Sequence, residues 1–234
     1  MFTIRQATQE QVSLLVDWAA EEGWNPGEHD AEVYFAADPN GFFIGYLRDE
    51  PIASIAAVKY SACSFAFIGY YIVKSRYRHQ GYGIRMWKHA MEYLCGRTIG
   101  LDAVLAQVQN YKRSGFQSMY ENHRCVTSGG GRLHSNPNLK EIREISDEDI
   151  WRFNKEVFPA DRVHFIRKFI SQPNSFLYGW KEGDVLQGYG VIRKLQSGYK
   201  IAPLYANSLE IAEHILLALA SKAQQSDNVY IDIP

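Results

Sequence analysis

Cysteine is scarce in this 234-residue chain, with three in all, Cys63, Cys95 and Cys125. Their number is odd and their spacing wide. No Cys-x-x-Cys pair suggests a zinc site or a redox couple, and the simple reading is reduced thiols in a cytoplasmic protein. None of the three has the His and Asp company that covalent catalysis by a thiolate needs. The seven histidines show no metal-ligand spacing, so no metal is expected. Charge of one sign is also lacking: 25 Lys and Arg stand against 26 Asp and Glu. That balance gives no electrostatic case for nucleic acid or an anionic membrane, although Arg76, Arg78, Arg85 and Lys88 form a local basic group. Long apolar runs are missing too. The longest, Ile215–Ala220, suits a core helix and is far too short to cross a bilayer. Met1–Ala7 lacks the apolar stretch of a signal peptide.

What is present is enough for a real core, since 46% of the residues are hydrophobic. Phe2–Gln6 reads as a strand. Thr8 then starts a helix, with Gln11 in capping-box spacing and Val12, Leu15, Val16 and Ala19 on one face. Gly23 ends it, and Asn25-Pro26-Gly27 turns the chain towards a short helix over 30–37. A hairpin is expected from Phe42–Leu47 and Ile52–Tyr60 around Asp49-Glu50-Pro51. Phe65–Val73 is a nearly all-apolar strand, buried on both faces, and its Gly69 marks a bulge or a close backbone approach. A loop, a helix over 81–95, a strand over 99–104, a short helix over 108–114 and a strand near 117–126 follow.

Residues 127–138 are the natural boundary, with Gly129-Gly130-Gly131 and Ser135-Asn136-Pro137-Asn138 and almost nothing apolar. Beyond it the chain partly repeats itself. Ile4-Arg5 is echoed by Ile142-Arg143, and Pro39-Asn40-Gly41-Phe42 by Pro173-Asn174-Ser175-Phe176. Gly45 is echoed by Gly179, and Leu101-Asp102 by Ile231-Asp232. The common order of these pairs argues for two related domains. The expected division is 1–127, a linker over 128–138, and a second domain over 139–234. By comparison with the first copy, the second lacks a final helix and strand, so it is truncated or minimal at its C-terminus.

The chemistry is concentrated in Arg78-His79-Gln80-Gly81-Tyr82-Gly83, between a buried strand and an amphipathic helix. A helix N-terminus offers unpaired N–H groups and partial positive charge, which suit a pyrophosphate. Glycines at 81 and 83 let phosphate oxygens approach the backbone, and Arg78 can add a charge-assisted bond. Ile84-Arg85 follows where a P-loop needs Lys-Ser/Thr, and a dinucleotide fingerprint needs a third glycine and an acidic residue at the next strand.

Strand, Arg-x-x-Gly-x-Gly and helix resemble motif A of the GNAT N-acetyltransferase superfamily. Tyr111, four residues before Gly115-Phe116, resembles that superfamily's Tyr-x-x-x-Gly-Phe segment. More narrowly, Gly23-Trp24-Asn25-Pro26-Gly27 and Leu101-Asp102-Ala103-Val104 resemble a bacterial subgroup with a second, degenerate acetyltransferase-like domain. The resemblance implies an α/β (α+β) fold: a mixed, mostly antiparallel twisted sheet flanked by helices, followed by a degenerate copy. It also implies acetyl-CoA as co-substrate, held by Ile72, Val73, Arg78, His79, Gln80, Gly81, Tyr82, Gly83 and Ile84. His79, Ser75 and Val104 depart from the family's frequent glycine, proline and asparagine.

The activity expected on this basis is transfer of an acetyl group to a primary amine of a small molecule or peptide, by direct attack in a ternary complex. Tyr111 is the candidate acid for the leaving sulfur, or else an aromatic that fills space under the loop. The Val73 N–H would polarise the acetyl carbonyl. The base is not readable. Glu28, His29 and Asp30 could reach the acceptor side, and Asp102, in an apolar strand, is either catalytic or a partnered structural carboxylate. Trp24, Tyr34, Phe42, Phe43, Tyr70 and Tyr71 are candidates for an apolar acceptor pocket. Two other readings stay open, a non-catalytic acyl-CoA sensor or scaffold and a nucleotide-binding protein of another class. A homodimer is also left open.

Overall fold

The computed structural model describes residues 1–60, 63–131, 136–158 and 160–234. Two compact units emerge. The first holds Met1–Met119 with Ala160–Phe165, and the second takes the rest. No helix among the described residues is long and apolar enough to cross a membrane.

The first unit begins with β1 (Phe2–Gln6) and α1 (Gln9–Glu21). Thr8 and Gln11 form the reciprocal cap that their spacing predicts. Helical periodicity then buries Val12, Leu15, Val16, Trp18 and Ala19. The short helix α2 (Asp30–Phe35) follows, then β2 (Phe42–Leu47) and β3 (Glu50–Lys59). Arg48 and Asp49, both at positive φ, make their tight connection, which matches the right-handed twist of a hairpin. β4 (Phe65–Val73), α3 (Tyr82–Tyr93), β5 (Thr98–Leu101) and α4 (Val108–Arg113) complete the unit. Its sheet runs in the order β1-β2-β3-β4-β5, antiparallel except for the parallel β4–β5 pair.

Alternation along the strands supplies two cores. Ile52, Ile55, Ile68 and Phe43 pack towards Met86, Trp87, Ala90 and Leu94 of α3. Phe42, Ile44 and Ala56 pack with Val12 and Leu15 of α1. Each fully buried side chain of this size contributes about 1.5–3 kcal/mol. Neighbouring Phe42 and Phe43 therefore belong to opposite cores. β4 is buried only at alternate positions, not along its whole length as its composition predicts. β5 stops at Leu101, which leaves Asp102 exposed beyond the strand instead of buried within it.

β6 (His123–Ser128) lies in the second sheet, although the sequence places it in a first domain running to residue 127. That sheet also contains β7 (Leu139–Glu141), β8 (Ser175–Glu182), β9 (Val185–Lys194), β10 (Tyr199–Ala206) and β11 (Asn228–Ile233). Its order is β6-β11-β10-β9-β8-β7. Helices α5 (Asp147–Val157), α6 (Val163–Ile170) and α7 (Leu209–Ala220) accompany these strands. β6 pairs antiparallel with β11 from Asn228↔Ser128 to Ile233↔His123. Cross-strand partners Arg124 and Asp232 form a two-pronged bond of 2.8 and 3.1 Å, which helps set that register.

The supposed linker is partly pinned as well. Gly129 N–H bonds Asp227 O, and Gly130 N–H reaches the Ala220 and Ala223 carbonyls. A Cβ at Gly129 would meet Gln224 O at 2.4 Å, so glycine here serves close packing and not slack. Arg132, Leu133, His134 and Ser135 lie outside the described residues.

The repeat is visible in the registers. The parallel β4–β5 ladder ends at Ile68↔Leu101, and the β10–β11 ladder at Ile201↔Ile231. Each is followed by a shift in the neighbouring antiparallel ladder. The strand matching β1 is Leu139–Glu141, however, and Ile142–Glu144 forms a single 3-10 turn. The Ile4/Ile142 echo is thus displaced by a few residues.

Bonds from Arg124, aided by Lys200, hold the Asp232 carboxyl at about 2, below its ordinary 3.8, against the opposing effect of burial. A folded-state value below the unfolded one stabilises the fold above about pH 4 and ceases to do so as pH falls through about 2. Asp232→Asn is expected to cost about 1–2 kcal/mol at pH 7 after screening. Urea titrations should show the gap between variant and wild type closing towards pH 2. A constant gap would contradict this account.

Candidate active site

The site lies where β4 leaves β5. Their pairing ends at Ile68↔Leu101, while β4 continues to Val73. Among the described residues no strand pairs this edge of β4 from Gly69 onward. On the other side, Lys74 N–H bonds Ile52 O at 2.9 Å. The adjacent Ala53/Val73 pair is therefore of the non-hydrogen-bonded kind, and the Val73 peptide groups face the open edge. Val73 O indeed accepts from Arg78 Nε at 2.8 Å on that side.

The chain then turns through Ser75–Tyr77 and His79, which sits at φ +62, to Gly81 at φ +83. Gly81 is the N-cap of α3, with no side-chain cap and no acidic residue in the first turn. The opening N–H groups of a twelve-residue helix thus keep their electropositive character. A Cβ at Gly83 would lie 2.9 Å from the Tyr71 hydroxyl and 3.4 Å from Val73 Cγ2, so a larger residue would crowd this cradle. Gln80 braces the loop by donating to Arg76 O at 3.0 Å. Tyr82 packs on Phe2 at 5.0 Å, while Ile84 is exposed. Arg78 lies beside the loop but is ion-paired with Glu22. That partner is 56 positions away, and nothing in the sequence signals it.

Tyr111, from α4, joins an aromatic group with Trp87 and Phe116 at 5.5 and 6.1 Å. Tyr71 reaches the same Trp87 at 5.7 Å. Burial pushes the Tyr111 phenol up. Burial first, then the nearby Tyr111, push Tyr71 up to about 12. Both are protonated donors at neutral pH. Tyr111 therefore packs against Trp87 of α3 and Phe116 and keeps its phenolic proton at neutral pH. Tyr71 is a neighbour whose phenol the sequence pattern does not single out as a donor.

The remaining candidates separate. Tyr70 and Tyr34 meet at 6.1 Å on the α1 side of the sheet, whereas Tyr71 faces α3. Trp24 is partly exposed. Asp30 is 3% exposed and accepts the Gly27 N–H at 2.8 Å, which makes it a carboxylate that holds the turn before α2. Glu28 and Asp102 are exposed. Among the described residues no group of His, Cys, Asp and Glu could hold a metal.

Comparison with known proteins gives the same picture. Residues 9–123 match the acetyltransferase (GNAT) family model, and residues 150–234 match an acetyltransferase (GNAT) domain model. Holothin acyltransferase of Pseudoalteromonas sp. (strain SANK 73390) is 28% identical over 100% of this chain and 79% of its own length. The uncharacterized N-acetyltransferase YitH of Bacillus subtilis (strain 168) is 25% identical over 97% of this chain and 80% of its own. In fold, a presumed acetyltransferase from Pyrococcus horikoshii superposes with TM-score 0.78 at 23% identity, covering 98% of this chain and 79% of that one. A tandem GNAT protein from the clavulanic acid biosynthesis pathway gives 0.63 at 13% identity, covering 100% and 90%. With a GNAT model on each half and the split β4 edge meeting an uncapped helix, the chain belongs to the GNAT acetyltransferase superfamily, as a tandem-domain acyltransferase.

Proposed function

We propose that the first unit transfers an acetyl group from acetyl-CoA to a primary amine of a small molecule or peptide, by direct attack without a covalent enzyme intermediate. The observation that carries this reading is the continuity of one edge. The outward-facing Val73 amide leads directly to the uncapped N-terminus of α3, with protonated Tyr111 grouped around Trp87 beside it. Acetyl-CoA would supply the activated acyl group. The α3 amides and the Gly81–Gly83 backbone would receive its diphosphate, with Arg78 exchanging its Glu22 pairing for phosphate. Val73 N–H would donate to the acetyl oxygen, where negative charge develops as the amine attacks. As the C–S bond breaks, Tyr111 would give its proton to the departing sulfur and be reprotonated, through solvent, by the proton that the amine nitrogen loses.

Incubating the protein with acetyl-CoA, holothin and a library of amines, while following release of free CoA thiol, tests the reading. Thiol release with at least one acceptor, and a matching acetylated product by mass spectrometry, is the expected result. One observation favours the second reading, an acyl-CoA-binding sensor or scaffold: Asp30, the buried carboxylate after the Pro26-Gly27 turn, is already engaged by the Gly27 N–H. Saturable CoA binding with no product from any acceptor would select that alternative.

A further inference from the structure

We propose that Ser54 is a positioning residue for acyl transfer, locking the β4 bulge that aims the Val73 amide. This rests on the reading of the site given above and adds a residue to it. Ser54 faces Ile72 across the ladder, and Ala56 faces Gly69. Ile55 alone therefore opposes both Tyr70 and Tyr71, which is the two-against-one count of a β-bulge. Tyr70 sits at φ +47, a backbone conformation an aromatic residue rarely holds. Its carbonyl leaves the ladder and is met by the Ser54 hydroxyl, which donates to it at 2.8 Å. Ser54 is 0% exposed, so water has no ready access to take over that bond.

The second unit supplies an internal contrast. Its ladder shifts at the matching place, between Ile201 and Leu204, leaving Val191 opposite Ala202 and Pro203. The register puts Gly190 where the first unit has Ser54, and Pro203 where it has Tyr71. A proline with a fixed φ fills that bulge, and no hydroxyl stands behind it. The helix that follows, α7, is capped by Ser208 on Ile211 N–H and has no glycine loop before it. The serine thus accompanies the half that has the phosphate loop. Without it, the Tyr70 carbonyl loses the bond from β3 that fixes it, and the extra residue can shift along β4. A one-residue slip in a strand reverses the direction of every peptide and side chain beyond it, including the amide of Val73.

Infrared difference spectra of acetyl-CoA labelled with carbon-13 at the carbonyl, bound to the wild type and to Ser54→Ala, read this directly. The wild type is expected to lower the carbonyl frequency relative to free acetyl-CoA. Ser54→Ala should return it towards the free value and slow acetyl transfer at least about tenfold, while CoA still binds through the untouched loop. Ser54→Thr, which keeps the hydroxyl, should restore the wild-type frequency. Should the alanine variant not fold, Ser54→Cys, of similar size and far weaker as a donor, takes its place with the same expectation. A frequency in Ser54→Ala or Ser54→Cys equal to that of the wild type overturns the inference alone. A wild type that does not bind acetyl-CoA overturns the reading of the site and this inference together.

Discussion

Tyr111→Phe is expected to lower kcat about 10²-fold with the amine that the thiol-release screen identifies, and to leave the affinity for acetyl-CoA nearly unchanged. The substitution keeps the ring that packs on Trp87 and Phe116 and deletes only the proton. The expected size is the lower end of general acid catalysis. Burial raises the Tyr111 phenol, so in the wild type the alkaline limb attributable to it should lie above the ordinary value of ~10. That limb should vanish from the rate profile of the variant. A phenylalanine enzyme that retains full kcat and the same alkaline limb would reduce Tyr111 to a packing residue.

The second large effect concerns the turn into α3. Gly81→Val is expected to weaken CoA binding by more than about tenfold, measured by titration calorimetry. The backbone there has φ +83, which costs an L-residue roughly 1–2 kcal/mol, and a β-branched one more. Relief of that strain would come from rotating the first turn, and with it the N–H groups that a diphosphate would need. The Cβ itself meets nothing within 4 Å, so the loss would come from backbone geometry and not from a clash. The Asp232–Arg124 contact lies in the other unit and should be unaffected, which makes the pH dependence of urea stability a control for intact folding. Undiminished calorimetric affinity in Gly81→Val would show that the turn does not bind the nucleotide part of CoA.

Much of this arrangement is readable from local pattern. Thr8 and Gln11 announce their cap, Gly69 announces the bulge beside it, and Gly81 and Gly83 announce a backbone that must be approached closely. All are short-range signals, set by φ preferences and by side chains reaching three residues along the chain. What could not be read depends on partners distant in sequence. Asp102 follows an apolar strand, and only the end of the β4–β5 pairing at Leu101 exposes it. Phe42 and Phe43 look like one aromatic surface until alternation sends them into separate cores. Glu22 has no signature as the partner of Arg78, nor Ser54 as the donor to Tyr70, because both bonds exist only after the sheet has assembled. The membership of β6 is the most distant case, since its hydrogen-bonding partner β11 is about a hundred residues later.

That last pairing bears on how such a gene can be dissected or recombined. A clone starting after the glycine-rich stretch would begin at residue 132 or later and leave Asn228–Ile233 with a bare flank, a template for aggregation. A clone of the N-terminal portion ending at residue 128 would carry His123–Ser128 as an orphan ribbon. The cut that leaves both sheets whole falls near Met119, ahead of the strand. Tandem inheritance here places a strand of the second unit ahead of the glycine-rich stretch, so a second copy moved without residues 120–131 would lose the outer strand of its sheet.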